Sequence, residues 1–487
     1  MGRKVVVVDV DWTTAFPENA LYLGARLLRR VPARDLRIVK FARPEDEPVL
    51  CRALQDLAGD EALVIFNFDY FNLFDFQVQA LRGLLADLAT SRSVVTAACG
   101  LLPSAAESLF VSSGLFDHVV TGYPWSQDLG DLFEPSPDSA HVLQTKPLRE
   151  YPPNGLDFFE SIHCLANVGS CLCHDQEGPY FYYYTSRMCN NGCFFCINCT
   201  FLDRFGGRVT KDPALVEREL DFLGPHLGVR RLIIADEQTR FASLELAVAK
   251  GYRLAQFGAR FCAKDFTPEI LRFAAANGCR IFALPVETLN RGILSSLKKN
   301  YSQEHLDRIL SAARELGLFA DAFYIFGLPC RDGALYGAED LARDVALLGD
   351  LLRRYPNVGV HARPFMPLPG TQLGDKDLAW RQSEGLDLFD WLETVAVVLN
   401  GEPLADSAWL PKVYADPETY AAASQARASF LALHRHFTSL YFLPPRNPAK
   451  AALCDLLTRH VLELMEQGRY EAGEFLNQAL DQVAKLT

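Results

Sequence analysis

The sequence predicts an α/β protein built as an N-terminal doubly wound parallel sheet of Rossmann-like type, a partial (β/α)6 barrel and a C-terminal helical region. Three observations carry this expectation. Short, β-branched, nearly all-apolar runs alternate with amphipathic stretches over roughly the first 135 residues, and buried parallel strands have that composition. The same alternation resumes at about residue 180. Past about 400 it gives way to helical, aromatic stretches.

In chain order, the first strands are KVVVVDV (4–10), LRIVKF (36–41), ALVIFNF (62–68), SVVTAA (93–98) and DHVVT (117–121). Amphipathic segments such as NALYLGARLLRR (19–30) and QVQALRGLLADLA (77–89) separate them. Five such βα units make a doubly wound sheet over 1–135, and ligands bind such sheets at the carboxyl ends of the strands. No G-x-G-x-x-G follows a strand, so a dinucleotide is not indicated. Residues 136–179, rich in proline and polar side chains, read as a linker. Six more strands are expected at 180–186, 230–236, 254–262, 280–287, 319–327 and 358–365, within a barrel domain spanning 180–395. Among its helices, SQEHLDRILSAARELG (302–317) carries Ser302 as N-cap, with His305 in its first turn. Residues 396–487 form the helical part, with helices expected over 417–442 and 451–468.

A chain of 487 residues exceeds one hydrophobic core and divides into domains. With 49% hydrophobic and 22% charged residues it has ordinary globular composition. Its net charge of −12, from 48 basic and 60 acidic residues, opposes nucleic acid as a partner. The first apolar run ends at Asp9, too short for a signal-peptide core, and no stretch reaches the roughly 18 apolar residues that suggest a membrane span. A cytoplasmic location without membrane partners is therefore expected. There, the 13 cysteines are better read as thiols or metal ligands than as disulfides.

The segment TSRMCNNGCFFCINC (185–199) concentrates four of them. Cys189, Cys193 and Cys196 are spaced C-x3-C-x2-C after an expected strand. Three thiolates on a short loop can hold three corners of a [4Fe–4S] cube and leave the fourth iron open to a small molecule. Gly192 lets such a loop curl tightly. The alternative is a structural zinc site closed by Cys199 at a further x2 spacing.

With Phe195 before the last cysteine, this motif resembles the radical S-adenosylmethionine (SAM) superfamily. The preceding TSR and the upstream βα domain resemble its subgroup with an N-terminal cobalamin-binding domain. GLFDHVVTGYP (114–124), FGARFCAKDFTPEILRFAAANGCRIFALPVETLN (257–290), FYIFGLP (323–329) and PFMPLPGTQL (364–373) resemble further segments of that subgroup in the expected order. The resemblance implies a [4Fe–4S] cluster on Cys189, Cys193 and Cys196, SAM chelating the open iron, and an electron donor such as flavodoxin or ferredoxin. It further implies cleavage of SAM to a 5′-deoxyadenosyl radical that takes hydrogen from an unactivated carbon. Asp236 and Glu237, ending the second barrel strand, stand where the superfamily contacts the SAM amino group. Glu287 ends the fourth strand, where ribose contacts occur, and Arg260 lies on the third. As residues alone, the acids could equally cap the helices that follow.

Other residues stay open to two readings. Cys171, Cys173 and Cys199 could form an extra thiol site for a second metal, a redox pair or a thiophilic substrate, or they could be small buried hydrophobes. Tyr183 and Tyr184 read as barrel core. His434 and His436 face different ways on a late aromatic helix and read as surface or core. The D-x-H-x-x-G motif of many cobalamin-binding domains is missing: DVDWTTAF follows the first strand instead, and His118 and His141 lack its context. The leading expectation is cobalamin-dependent methylation of an unactivated carbon or phosphorus in a small metabolite or natural-product precursor. The alternatives are a cobalamin-independent radical SAM enzyme and a non-catalytic structural or electron-transfer metal protein. The former would rearrange its substrate or transfer the aminocarboxypropyl group of SAM to a nucleophile, including a soft acceptor such as an arsenic species.

Overall fold

Six parallel strands form the N-terminal sheet in a computed structural model of the chain. It describes all residues except 1–2, 12–15, 58–59, 70–72, 92, 127–128, 134–140, 146–150, 152–156, 176, 192, 198–207, 237, 258–264, 298–300, 330–333, 401–412, 443–447, 474–475 and 477–487. The strands are β1 (Lys4–Val10), β2 (Leu36–Phe41), β3 (Ala62–Phe68), β4 (Val94–Gly100), β5 (His118–Thr121) and β6 (His141–Gln144), in the order β2-β1-β3-β4-β5-β6. All seven residues of β3 are buried, which explains why it reads as a nearly unbroken apolar run: parallel strands are covered on both faces. Because β1 sits between β2 and β3, the order reverses there, and the crevice at the carboxyl ends of β1 and β3 is the topological switch point.

The 136–179 stretch is more than an extended tether. It contributes β6, which pairs with β5 through His118↔His141 to Thr121↔Gln144. It also contributes 3-10 turns at Phe158–Cys164 and Val168–Cys171. Leu165 bridges Ile38 beside β2. The Asn167 side chain accepts from Lys40 N (3.0 Å) and donates to Lys40 O (2.7 Å), supplying backbone partners on the outer side of β2.

The second sheet holds seven strands. These are β7 (Cys173–Asp175) and β8 (Gly178–Tyr183), then, after the small β9 (Ser186–Arg187) and β10 (Val209–Thr210) pair, β11 (Arg231–Ile234), β12 (Arg253–Phe257), β13 (Ile281–Glu287), β14 (Phe319–Phe326) and β15 (Val358–Pro364). Its order is β15-β14-β13-β12-β11-β8-β7, the partial-barrel arrangement, with β7 added antiparallel to β8. Helices connect the parallel strands. The Pro213–Leu227 helix starts on Asp212, whose side chain accepts from Ala214 N (2.8 Å), and ends at Gly228 with φ 67°. Ser302 caps the Gln303–Glu315 helix by accepting from His305 N (3.1 Å), as expected.

The chain divides into two compact units. One comprises 1–190, 195–231 and 368–396; the other comprises 191–194, 232–367 and 397–487. In the second, the Pro417–Phe442 helix lies along β15, and Arg427 Nε donates to Ala362 O (3.2 Å). That contact occupies an edge carbonyl that would otherwise invite another strand. On the other side of β14, Tyr324 and Tyr336 each donate to Asp344 of the Ala338–Arg354 helix at 2.7 Å. Burial pushes the Asp344 carboxyl up to about 6. Among the described residues, no helix is long and apolar enough to cross a membrane.

Candidate active site

The carboxyl edge of the N-terminal sheet is polar, buried and tightly bonded. Lys40, at the end of β2, is fully buried and lies 2.8 Å from Asp9 and 2.9 Å from Asp11. Burial works against its charge, but Asp11 and Asp9 outweigh it and raise its pKa. Asn67 of β3 donates to Asp9 (2.8 Å), and Gln77 donates to Asp11 O (2.8 Å) and Phe41 O (2.6 Å). Asp69, one residue beyond β3, accepts from Asn19 (2.7 Å), and Asn19 in turn accepts from Trp125 (3.0 Å). Desolvation pushes Asp69 up to about 6, against the pull of Arg187. Gly100 closes β4 at φ 102°, where a Cβ would stand 2.5 Å from Phe68 O, so only glycine fits. His118 and His141 open β5 and β6 at the opposite edge.

Arg187 on β9 joins this edge to the start of the cysteine loop. It pairs with Glu18 at 3.4 Å, at the first turn of the Glu18–Leu27 helix, and stacks 3.9 Å over the Tyr184 ring. Behind it, Lys211 binds Glu18 and lies 2.6 Å from Glu219, while Tyr22 (2.7 Å) and Tyr183 (2.6 Å) donate to Glu219. Tyr183 is thus buried core, as expected, but core with a polar duty. Met188, between Arg187 and Cys189, has φ 68°. Outside glycine that conformation costs about 1–3 kcal/mol and gathers at functional sites.

Cys189 and Cys196 are half-buried; Cys193 is buried, its thiol 3.8 Å from the carbonyl of Leu297. None of the three is in a disulfide, and a set of three thiols on one loop fits the thiolate preference of an iron–sulfur cluster. Gly192 and Cys199 lie outside the described residues.

At the carboxyl ends of the barrel strands, Asp236 follows β11 and is fully buried. Glu287 ends β13 at φ 62°, after a register shift between Pro285 and Glu287 against β14. Among the described residues, Met188 and Glu287 are the two non-glycines in the left-handed region. The bulge re-aims Glu287, and Tyr301 braces the bend by donating to Val286 O (2.9 Å) and Thr288 O (3.1 Å). The turn beyond it borders a cavity of about 480 Å³ lined by Leu289, Arg291, Leu294, Ser295, Tyr301 and Ser302. Asp236 and Glu287 are thus acids at the carboxyl ends of these strands. Glu237 and Arg260 lie outside the described residues.

Cys171 is fully buried, and desolvation pushes its thiol up to about 12, the state of an unreactive thiol. Cys173 lies on β7 opposite Tyr180. His434 stands beside Asp321 and His361, partners that no local spacing in the sequence reveals; the side chain of His436 lies outside the described residues. The sequence reading also missed Asp69, Asn19 and the function of Arg187. The TSR triplet was the only local hint of Arg187.

Residues 183–329 match the family model of the Radical SAM superfamily. No curated protein matches the chain. Among solved structures, the radical SAM methyltransferase TsrM from Kitasatospora setae, with cobalamin and a [4Fe-4S] cluster bound, is 16% identical, with 98% of this chain and 100% of that chain covered at a TM-score of 0.55. The cobalamin-dependent SAM radical enzyme OxsB, with aqua-cobalamin and SAM bound, is 13% identical, with 98% and 75% covered at 0.56. At these identities the likeness is one of fold.

Proposed function

Because this chain belongs to the radical SAM superfamily through residues 183–329, we propose that it is a cobalamin-dependent radical SAM methyltransferase. Its substrate would be an unactivated carbon or phosphorus of a small metabolite or natural-product precursor. When bound, the cluster supplies the electron that breaks a carbon–sulfur bond of SAM, and cobalamin carries a methyl group. Cys189, Cys193 and Cys196 hold the cluster, while Asp236 and Glu287, with Glu237 and Arg260, orient SAM. An electron donor of flavodoxin or ferredoxin type would reduce the cluster.

One observation carries the cobalamin part. The switch-point edge of the N-terminal sheet is tied through Glu18 to Arg187, two residues before Cys189. A ligand held on that edge therefore stands beside the start of the cysteine loop. Asn67, Asp69 and Asn19, beside the glycine-containing turns at Gly100 and Gly122, fit a large ligand rich in amides. Neither His118 nor His141 is at that edge, so the residues fit cobalamin bound without a histidine from either strand on cobalt.

The same edge favours the second reading. The Lys40 ammonium is already committed to Asp9 and Asp11, as in a domain that no longer binds a corrin. The chain would then rearrange its substrate or transfer the aminocarboxypropyl group of SAM, and of the extra thiols the half-buried Cys173, rather than the buried Cys171, would suit a soft acceptor. Oxygen-free reconstitution with cobalamin separates the two. The proposal expects retained corrin absorbance, with both S-adenosylhomocysteine and 5′-deoxyadenosine formed from SAM and reductant. A cluster-loaded protein that refuses cobalamin yet cleaves SAM supports the second reading instead.

A further inference from the structure

We infer that Asp321, His361 and His434 form a binding site for a divalent first-row transition-metal ion such as Zn²⁺, separate from the cysteine loop. Two strands and a helix bring them together: Asp321 on β14, His361 on β15 and His434 on the Pro417–Phe442 helix. One donor atom from each lies within 4.8 Å of the others, and among the described residues this is the one such trio. His361 Nδ1 stands 3.7 Å from Asp321 Oδ2, and His434 Nε2 stands 3.8 Å from Asp321 Oδ1. Neither distance is a hydrogen bond. An ion at 2.0–2.2 Å from each donor would hold them roughly 3–3.5 Å apart, so the three side chains draw inward as it binds.

The carboxylate supplies the second argument. Asp321 is 8% exposed and its Oδ1 has no hydrogen-bond partner, an arrangement that costs free energy unless a cation answers it. Both rings are held in place: Phe323 stacks on His361 at 4.8 Å, and Phe319 lies 5.8 Å from His434. Gly359 on β15 makes the approach of His434 possible, because a Cβ there would collide with its ring and stand 2.6 Å from Phe319. Two imidazoles and one carboxylate leave coordination positions open for water or a ligand oxygen. The side chains of His361 and His434 are 29% and 17% exposed, so an ion can enter.

Arg363 opposes the ion. Its Nη2 is 3.4 Å from His361 Nε2, and a guanidinium only donates. Without metal, His361 therefore carries its proton on Nδ1, facing Asp321. Metal at Nδ1 moves that proton to Nε2 and displaces Arg363. Replacing Arg363 with glutamine removes a nearby positive charge and should tighten binding by roughly tenfold.

The test needs neither SAM nor turnover, so it stands or falls apart from the proposed function. Protein reconstituted without oxygen is dialysed against Zn²⁺, desalted and analysed for zinc and iron by mass spectrometry. Wild type is expected to hold about one zinc beside its cluster iron. His434→Gln and Asp321→Asn should keep the iron, lose at least about nine-tenths of the zinc and no longer melt higher with Zn²⁺. Wild-type protein without zinc, zinc retained by both variants, or zinc found only in place of iron would each overturn the inference.

Discussion

Replacing Cys193 with alanine is expected to abolish SAM cleavage and strip the protein of most of its iron, while the fold survives. The loss should exceed the roughly 10–100-fold that follows when a metal ligand merely loses its outer hydrogen-bond partner. Leu297, which Cys193 touches, offers only a carbonyl, a poor replacement for a thiolate on iron. Cys171→Ala is the matched control. That thiol is also buried, yet its pKa of about 12 keeps it protonated, so the variant should retain its iron and its turnover. Iron assay, absorbance near 400 nm and 5′-deoxyadenosine yield distinguish the two. Equal losses in both variants would show that Cys171 belongs to the metal site.

The second large effect is structural. Lys211→Met should destabilise the unit that holds the N-terminal sheet by about 3–5 kcal/mol, the cost of breaking a buried ion pair from one side. Lys211 is fully exposed to neither solvent nor salt: its ammonium is buried between Glu18 and Glu219, which are themselves buried. Removing it leaves two carboxylates facing only Arg187, Tyr22, Tyr151 and Tyr183. Adding Glu219→Gln to Lys211→Met should recover part of the loss, because one of the stranded charges goes with it. Thermal melting reads both; a single variant that melts like wild type would show the network to be incidental.

How much of this was legible in the sequence depends on how local each signal is. β1, β2 and β3 lie where the apolar runs 4–10, 36–41 and 62–68 are expected, because a strand buried on both faces is nearly all apolar. Ser302 announced its helix because a cap acts within three residues. β6 gave no such signal: HVLQ is an edge strand with exposed ends, set among prolines and polar residues. Glu287 was visible as an acid ending a strand, but the bulge and the positive φ that aim it belong to its pairing with β14. The Asp321, His361 and His434 trio joins distant segments, and the packing of the Pro417–Phe442 helix along β15 assembles it. The cysteine spacing stands out because a cluster-binding loop carries its ligands within a few residues.

The central claim is that Cys189, Cys193 and Cys196 hold a redox-active cluster that binds SAM directly. Electron paramagnetic resonance of the reduced, reconstituted protein, recorded before and after adding SAM, tests it most directly. The account predicts a [4Fe–4S] signal that changes on SAM addition in wild type and is missing in Cys193→Ala. A cluster signal indifferent to SAM, or zinc bound to the loop in place of iron, would contradict it.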